Sequence, residues 1–182
     1  MNELDFKLKD VVYMAITAAA MMVVSFFTVP LVVALPIPGI RTIVVAPFYG
    51  LLIALAVVKI KKVGTCTIVS TLCGLPLAFI SPVILMFCVA SGITADLVFF
   101  LLGRDALNRA KVSIVGGTYM GTMMVYGELM GALILRDTPI SAVLQNPLVL
   151  LLTFVLSAVL GALGSLLATR ISKEFRGIST VG

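Results

Sequence analysis

The chain has 182 residues, of which 61% are hydrophobic and only 12% charged, with a mean hydropathy of +1.22. A soluble domain of this size would be about half apolar and about a quarter charged, so a water-solvated globular fold is excluded and lipid is the expected solvent. The net charge of +5 comes with no DNA- or RNA-binding pattern, so no nucleic-acid partner is expected.

A membrane helix needs about 20 apolar residues to cross the hydrocarbon core. Six apolar runs approach or reach that scale: 11–29, 42–59, 63–80, 82–102, 112–135 and 147–169. They are continuous rather than alternating, which argues against barrel strands, and helices satisfy every backbone group within the segment, as lipid demands. The expected fold is all-α, a single domain over residues 1–182 built as a bundle of six transmembrane helices.

The leader MNELDFKLKD mixes acids with bases and runs into a span-length apolar stretch, so it is read as the approach to the first helix rather than a cleaved signal peptide. That first run carries Ala15 and Ala19 at i, i+4, flanked by Ala18, a small-residue face that permits close helix contact in lipid. Next comes TVPLVVALPIPGIR (28–41), with three prolines. Loops of this length are often binding loops or lids, and an apolar one is expected to pack over the outer mouth of the bundle, or else to extend the first span.

KIKKVG (59–64) is a tight turn into the third run, and FISP (79–82) leaves almost no connection between the third and fourth. GRDALNRAK (103–111) is long enough for a short amphipathic helix. The fifth run holds Gly117, Gly121, Gly127 and Gly131, and the sixth holds Gly161, Gly164, Ser165 and Ala168, again small-residue faces. Between them RDTPISAVLQNP (136–147) has two prolines.

With the N-terminus placed inside, eleven Lys and Arg fall on the cytoplasmic side, and only Arg41 and Arg136 outside. That asymmetry puts both termini in the cytoplasm. Cys66, Cys73 and Cys88 lie within spans, and the chain has no His. No zinc or copper set can be assembled from such residues, so the thiols read as small buried side chains, and neither metal nor cofactor is expected.

Two acids sit inside spans, where burial costs several kcal/mol unless they are paired, hydrated or protonated. Asp96 lies about 9 Å from the cytoplasmic end of its helix, within reach of Arg104, Arg109 or Lys111, and a structural or coupling role is favoured over ligand contact. Glu128 lies about 10 Å below the outer surface, surrounded at helical spacing by Gly121, Met124, Val125, Gly131 and Ala132. Such a face points inward. Glu128 is then either a polar anchor in a pocket open to the outside, or half of an internal Glu–Arg pair that fixes packing.

FKLKDVVYMAITAAAMMVV (6–24), PFYGLLIALAVVKIKKVGTCTIV (47–69) and SPVILMFCVASGITADLVFFLLGR (81–104) resemble the substrate-binding (S) components of energy-coupling factor (ECF) transporters, in the Trep_Strep-type or MptA-like branch. The resemblance covers the whole chain. It implies a multi-pass protein of a prokaryotic cell membrane that captures a micronutrient, such as a vitamin, at the outer face. It would then deliver that ligand inward with a transmembrane coupling (T) subunit and two cytoplasmic ATPases. Ala15 and Ala19 match the face that family members press against the T subunit. The family's pocket, beneath the first outer loop and between the outer halves of helices four to six, nominates Arg41, Glu128, Tyr126 and Asn146, with Gln145 and Met124 beside them. The absence of Trp weighs against a flat vitamin ring.

The chain has no GxxxxGK[ST] phosphate loop, so energy would come from partners, and no catalytic set points to an enzyme. The rival reading is a stand-alone proton-coupled carrier, with Glu128 or Asp96 as its proton site. A membrane scaffold would leave Glu128 without a purpose.

Overall fold

Chain breaks fall where backbone chemistry demands them. Gly39, Gly64 and Gly103 take positive φ, a conformation open to glycine at no steric cost, and each stands at a helix boundary. The computed structural model describes residues 6–34, 39–103, 108–134 and 146–178, and the regular structure among them is helical. The helices are α1 Leu8–Ala34, α2 Ile40–Ile60, α3 Thr65–Leu77, α4 Pro82–Leu101, α5 Arg109–Ile134 and α6 Pro147–Ile178.

Four of the six, α1, α2, α4 and α6, are long and apolar enough to cross a membrane. The other two differ for separate reasons. Helix α3 has 13 residues, about 20 Å of rise against a hydrocarbon core of about 30 Å. It starts after left-handed Gly64 and stops at Leu77, short of the expected 63–80. Pro82 forces the residue before it out of the helical region, and Ser81 is extended at φ −155°, ψ 121°. A turn over 78–80 closes through Ile80 N–H donating to Leu77 O at 3.0 Å.

Helix α5 has the length, at 26 residues, but Gly, Thr, Tyr and Glu128 dilute its apolarity. Its position explains this: α5 packs against α2, α4 and α6 and meets protein more than lipid.

Other boundaries also moved. Helix α1 continues through Pro30 to Ala34, so much of the expected outer loop extends the first helix, and residues 35–38 lie outside the described residues. Helix α6 starts at Pro147 as expected and runs past 169 to Ile178. Of the expected interfacial segment 103–111, residues 109–111 form the first turn of α5, and 104–107 lie outside the described residues.

The helices form a ring in the order α1, α3, α4, α5, α6, α2, and α2 also touches α3 and α5 across it. Helix α2 is thus the hub. Large apolar side chains cover the outside instead of charges: Phe26, Phe79, Leu101 and Leu148 are all exposed, Phe79 by 94%. That is the surface of a protein solvated by lipid.

One end of the bundle is basic. Lys62 pairs with Asp10 at 2.8 Å, which joins the start of α1 to the turn between α2 and α3. Lys111 Nζ donates to Leu102 O at 2.6 Å, joining the start of α5 to the end of α4. Arg41 stands at the opposite end.

Inside, α2, α5 and α6 meet almost backbone to backbone. A Cβ on Gly50 would overlap the carbonyl of Gly161, one on Gly164 would overlap that of Pro47, and one on Gly116 would overlap Ser165 Oγ. Ser165 Oγ shares its one proton between Gly50 O across the contact at 2.9 Å and Gly161 O in its own helix at 2.8 Å, and Ser113 Oγ donates to Ala162 O at 3.0 Å. The small-residue face expected on the sixth helix is this contact. Its partners Gly50 and Gly116 stood outside the expected motifs.

Gly164→Ala therefore drives a methyl into the Pro47 backbone and is expected to cost about 1–3 kcal/mol. Gly127→Ala meets nothing within 4 Å and is expected to leave stability unchanged or raise it by about 0.5–1 kcal/mol. Thermal unfolding of the two variants in the same detergent checks the contrast; equal melting temperatures would refute the close-packing assignment.

Candidate functional site

The shortness of α3 leaves space at the end of the bundle away from the basic clusters. There the C-terminal half of α1, the N-terminal half of α2, the last turns of α3, the start of α4 and the C-terminal half of α5 enclose a cavity of about 740 Å³. Helical spacing builds each wall: Arg41, Val45 and Tyr49 on α2, Ile84, Phe87 and Cys88 on α4, and Met120, Met123 and Gly127 on α5. Helix α6 contributes nothing to the lining.

Polar groups on these walls are few, and most are already satisfied. Arg41 Nη2 donates to Ser25 Oγ at 2.5 Å, tying the start of α2 to α1. Tyr49 OH donates to Met21 O at 3.0 Å and lies 4.0 Å from Cys73 Sγ. Arg41 is the one charged side chain among the described lining residues. Apolar walls with a few placed polar groups, in a volume between about 300 and 1,000 Å³, are the usual form of a small-molecule site.

Of the nominated ligand residues that the structure describes, Arg41 alone lines this cavity. Glu128 does face inward, at 5% exposure, but it turns toward α6, about 100° round α5 from Gly127. It packs with Met124 and Thr153 beneath Gly39: a Cβ on Gly39 would lie 3.0 Å from Glu128 Oε1 and would overlap Met124 Cε. The requirement for glycine at 39 is therefore double, positive φ and close approach.

The Glu–Arg pair weighed for Glu128 is not formed with Arg41, whose bond goes to Ser25; Arg136 lies outside the described residues. Thr153 Oγ1 approaches Glu128 Oε2 at only 3.5 Å, while the same hydroxyl donates to Val149 O at 2.8 Å. One hydroxyl proton cannot serve both fully. Among the described residues Glu128 Oε1 has no hydrogen-bond partner.

Tyr126 is half-buried and lines neither this cavity nor the shallow apolar groove between α5 and α6. Asn146 is the N-cap of α6, its Oδ1 accepting from Leu148 N–H at 3.0 Å, which satisfies a donor the helix itself leaves free. Gln145 lies outside the described residues. Ala15 and Ala19 are both exposed on the outward face of α1, whereas Ala18 is buried.

Asp96 has a structural explanation. Its Oδ1 accepts from Cys66 N–H at 3.1 Å, and its Oδ2 accepts from Thr67 N–H at 2.7 Å and Thr67 Oγ1 at 2.6 Å. Gly64, at the cap position of α3, has no side chain to offer, so Asp96 on α4 caps α3 from outside. A carboxylate there also meets the positive end of the helix dipole. The charge is balanced by backbone N–H groups rather than by the basic residues expected to neutralise it; Arg104 lies outside the described residues.

Cys73 and Cys88 line the cavity, and Cys66 is buried beside Asp96. Sequence reasoning missed the two cavity thiols together with Ser25, Tyr49 and Phe87. The available signal was the i, i+4, i+8 series Arg41, Val45, Tyr49, which places a cation and a phenol on one helical face. Among the described residues no cluster of His, Cys, Asp or Glu could hold a metal ion. No protein-family model, curated protein or solved structure matches the chain.

Asp96→Asn removes the charge from three hydrogen bonds and sets an amide donor against backbone donors. Stability is expected to fall by about 1.5–3 kcal/mol, the range for hydrogen bonds to a charged group. Thermal unfolding of the purified variant measures it, and an unchanged melting temperature would remove the capping role.

Proposed function

We propose that the protein is the substrate-capture component of an ECF-type importer, a six-span protein of the cell membrane with both termini in the cytoplasm. It would bind a micronutrient at the outer face and pass it inward with a T subunit and two ATPases, performing no catalysis itself. The observation that carries this reading is the cavity: a drug-sized, mostly apolar chamber at the end of the bundle opposite the basic clusters. The positive-inside rule turns that end outward. A capture protein needs such a chamber open to the side from which its ligand comes.

Helix α1 supports the partner assignment. Among the described elements it touches only α2 and α3, and its outward face carries Ala15 and Ala19 between larger apolar side chains. A second helical protein can approach its backbone closely there.

A second reading, the proton-coupled carrier, draws on Glu128, whose buried oxygen has no hydrogen-bond partner among the described residues. Asp96 suits that role poorly, since three donors already occupy its two oxygens in capping α3. Uptake by the protein reconstituted with and without the T subunit and ATPases separates the two. Uptake driven by a pH gradient alone, and abolished by Glu128→Gln, would favour the carrier.

Replacing Ala15 and Ala19 together by Leu is expected to abolish ATP-driven uptake while leaving ligand affinity within about twofold, because the face lies outside the cavity. Normal uptake in the double variant would misplace the T-subunit contact. Single cysteines at Asn2 and Ser179, in a background without the native thiols, are expected to resist an impermeant maleimide applied to intact cells. Efficient labelling at either position would reverse the orientation.

A further inference from the structure

Resting on the capture reading, we infer that the cavity ligand is an amphiphilic anion: an apolar body about 12 Å long with one acidic group, which binds the Arg41 guanidinium. Three observations lead there.

The first is the charge of the walls. Arg41 is the single charged side chain among the described lining residues. The two acids within the bundle are placed elsewhere. Asp96 caps α3 at the other end, and Glu128 faces Thr153 and Gly39. The cavity therefore holds a positive charge with no negative side chain on its described walls. Enclosing that charge around a ligand is unfavourable unless a counter-charge arrives with it.

The second is donor capacity. A guanidinium has five N–H donors in a planar fork matched to a carboxylate. Arg41 is exposed and gives one donor to Ser25, which anchors the group without exhausting it. Thr42 lies beside it on the cavity wall.

The third is the arrangement along the wall. From Arg41 to Tyr49 is eight residues of α2, about 12 Å. Past Arg41 and Thr42 the α2 wall becomes Val45, with Met120, Met123 and Phe87 opposite. Tyr49 OH, at the far end, is already bonded to Met21 O. Polarity is concentrated at one end and the body of the chamber is apolar and sulfur-rich, so a ligand fits with its acid at Arg41 and its apolar part toward Tyr49. A cationic ligand would meet Arg41 with no acid to offset it.

The test uses a matched set of probes, 6-phenylhexanoate, 6-phenylhexanamide and 6-phenylhexylamine, titrated calorimetrically against the protein in phosphatidylcholine nanodiscs, with empty discs subtracted. The acid is expected to bind about ten- to a hundredfold more tightly than the amide, and the amine more weakly still. Arg41→Gln is expected to erase the preference for the acid while amide binding stays within twofold, which also shows the variant to be folded. An amide or amine that binds as tightly as the acid would overturn the proposal. So would an Arg41→Gln protein that keeps the preference, or binding of none of the three above empty discs. If added phosphatidylglycerol displaces the acid, the natural anion is a lipid headgroup; if it does not, it is a soluble acid, and both outcomes keep an anion on Arg41. Acid binding that depends on Arg41, in a protein whose uptake ignores the ATPases, would defeat the importer reading and leave the ligand class standing.

Discussion

Helices α2, α5 and α6 approach one another so closely at Gly50, Gly116, Gly161 and Gly164 that a single methyl at several of these positions would collide with backbone or with Ser165. In lipid the hydrophobic effect gives helices little reason to associate, and van der Waals packing with interhelical hydrogen bonds must hold them. This contact supplies both, since Ser113 Oγ donates to Ala162 O across it and Ser165 Oγ shares its proton between Gly50 O and Gly161 O. It clamps three helices into one wedge and sets the position of α2 against α6. The remaining helices, α1, α3 and α4, complete the ring around what the wedge leaves open.

The cavity is the consequence. Helix α3 ends early because Pro82 holds the residue before it out of the helical region, and the side chains around its last turn face space rather than a continuing neighbour. Helix α6, held against α2 and α5 by its glycines, is too far round the ring to reach that space.

The two acids within the bundle show how similar side chains are handled differently. Asp96 is surrounded by donors and completes the start of α3, whose own cap position is a glycine. Glu128 lies just as deep but among the described residues meets one distant hydroxyl, already engaged with a carbonyl of its own helix. One acid is therefore explained by local architecture and the other is not, which keeps Glu128 in the functional account although it stands apart from the cavity. Gly39 links the two regions: it rests on Glu128 and Met124, and two residues later Arg41 reaches Ser25 at the cavity wall. A shift in the connection before α2 would be felt at both.

What the sequence by itself determined were properties set by composition and by local chemistry. Lipid as solvent, helices as the only regular structure, most helix starts, the segregation of basic residues to one end and the inward orientation of Glu128 all follow from residue type and spacing. The tertiary structure alone decided which faces meet. Periodicity is a weak guide here, because lipid and protein interior are both apolar and a helix can bury either side without leaving a hydropathy signature. Asp96 finds its partners 30 residues away on α3, and Gly50 finds Ser165 at a separation of 115. Those rotations and translations are fixed by contacts between distant small residues, and they place the cavity among α1–α5 with Arg41 on its wall and turn Glu128 toward α6.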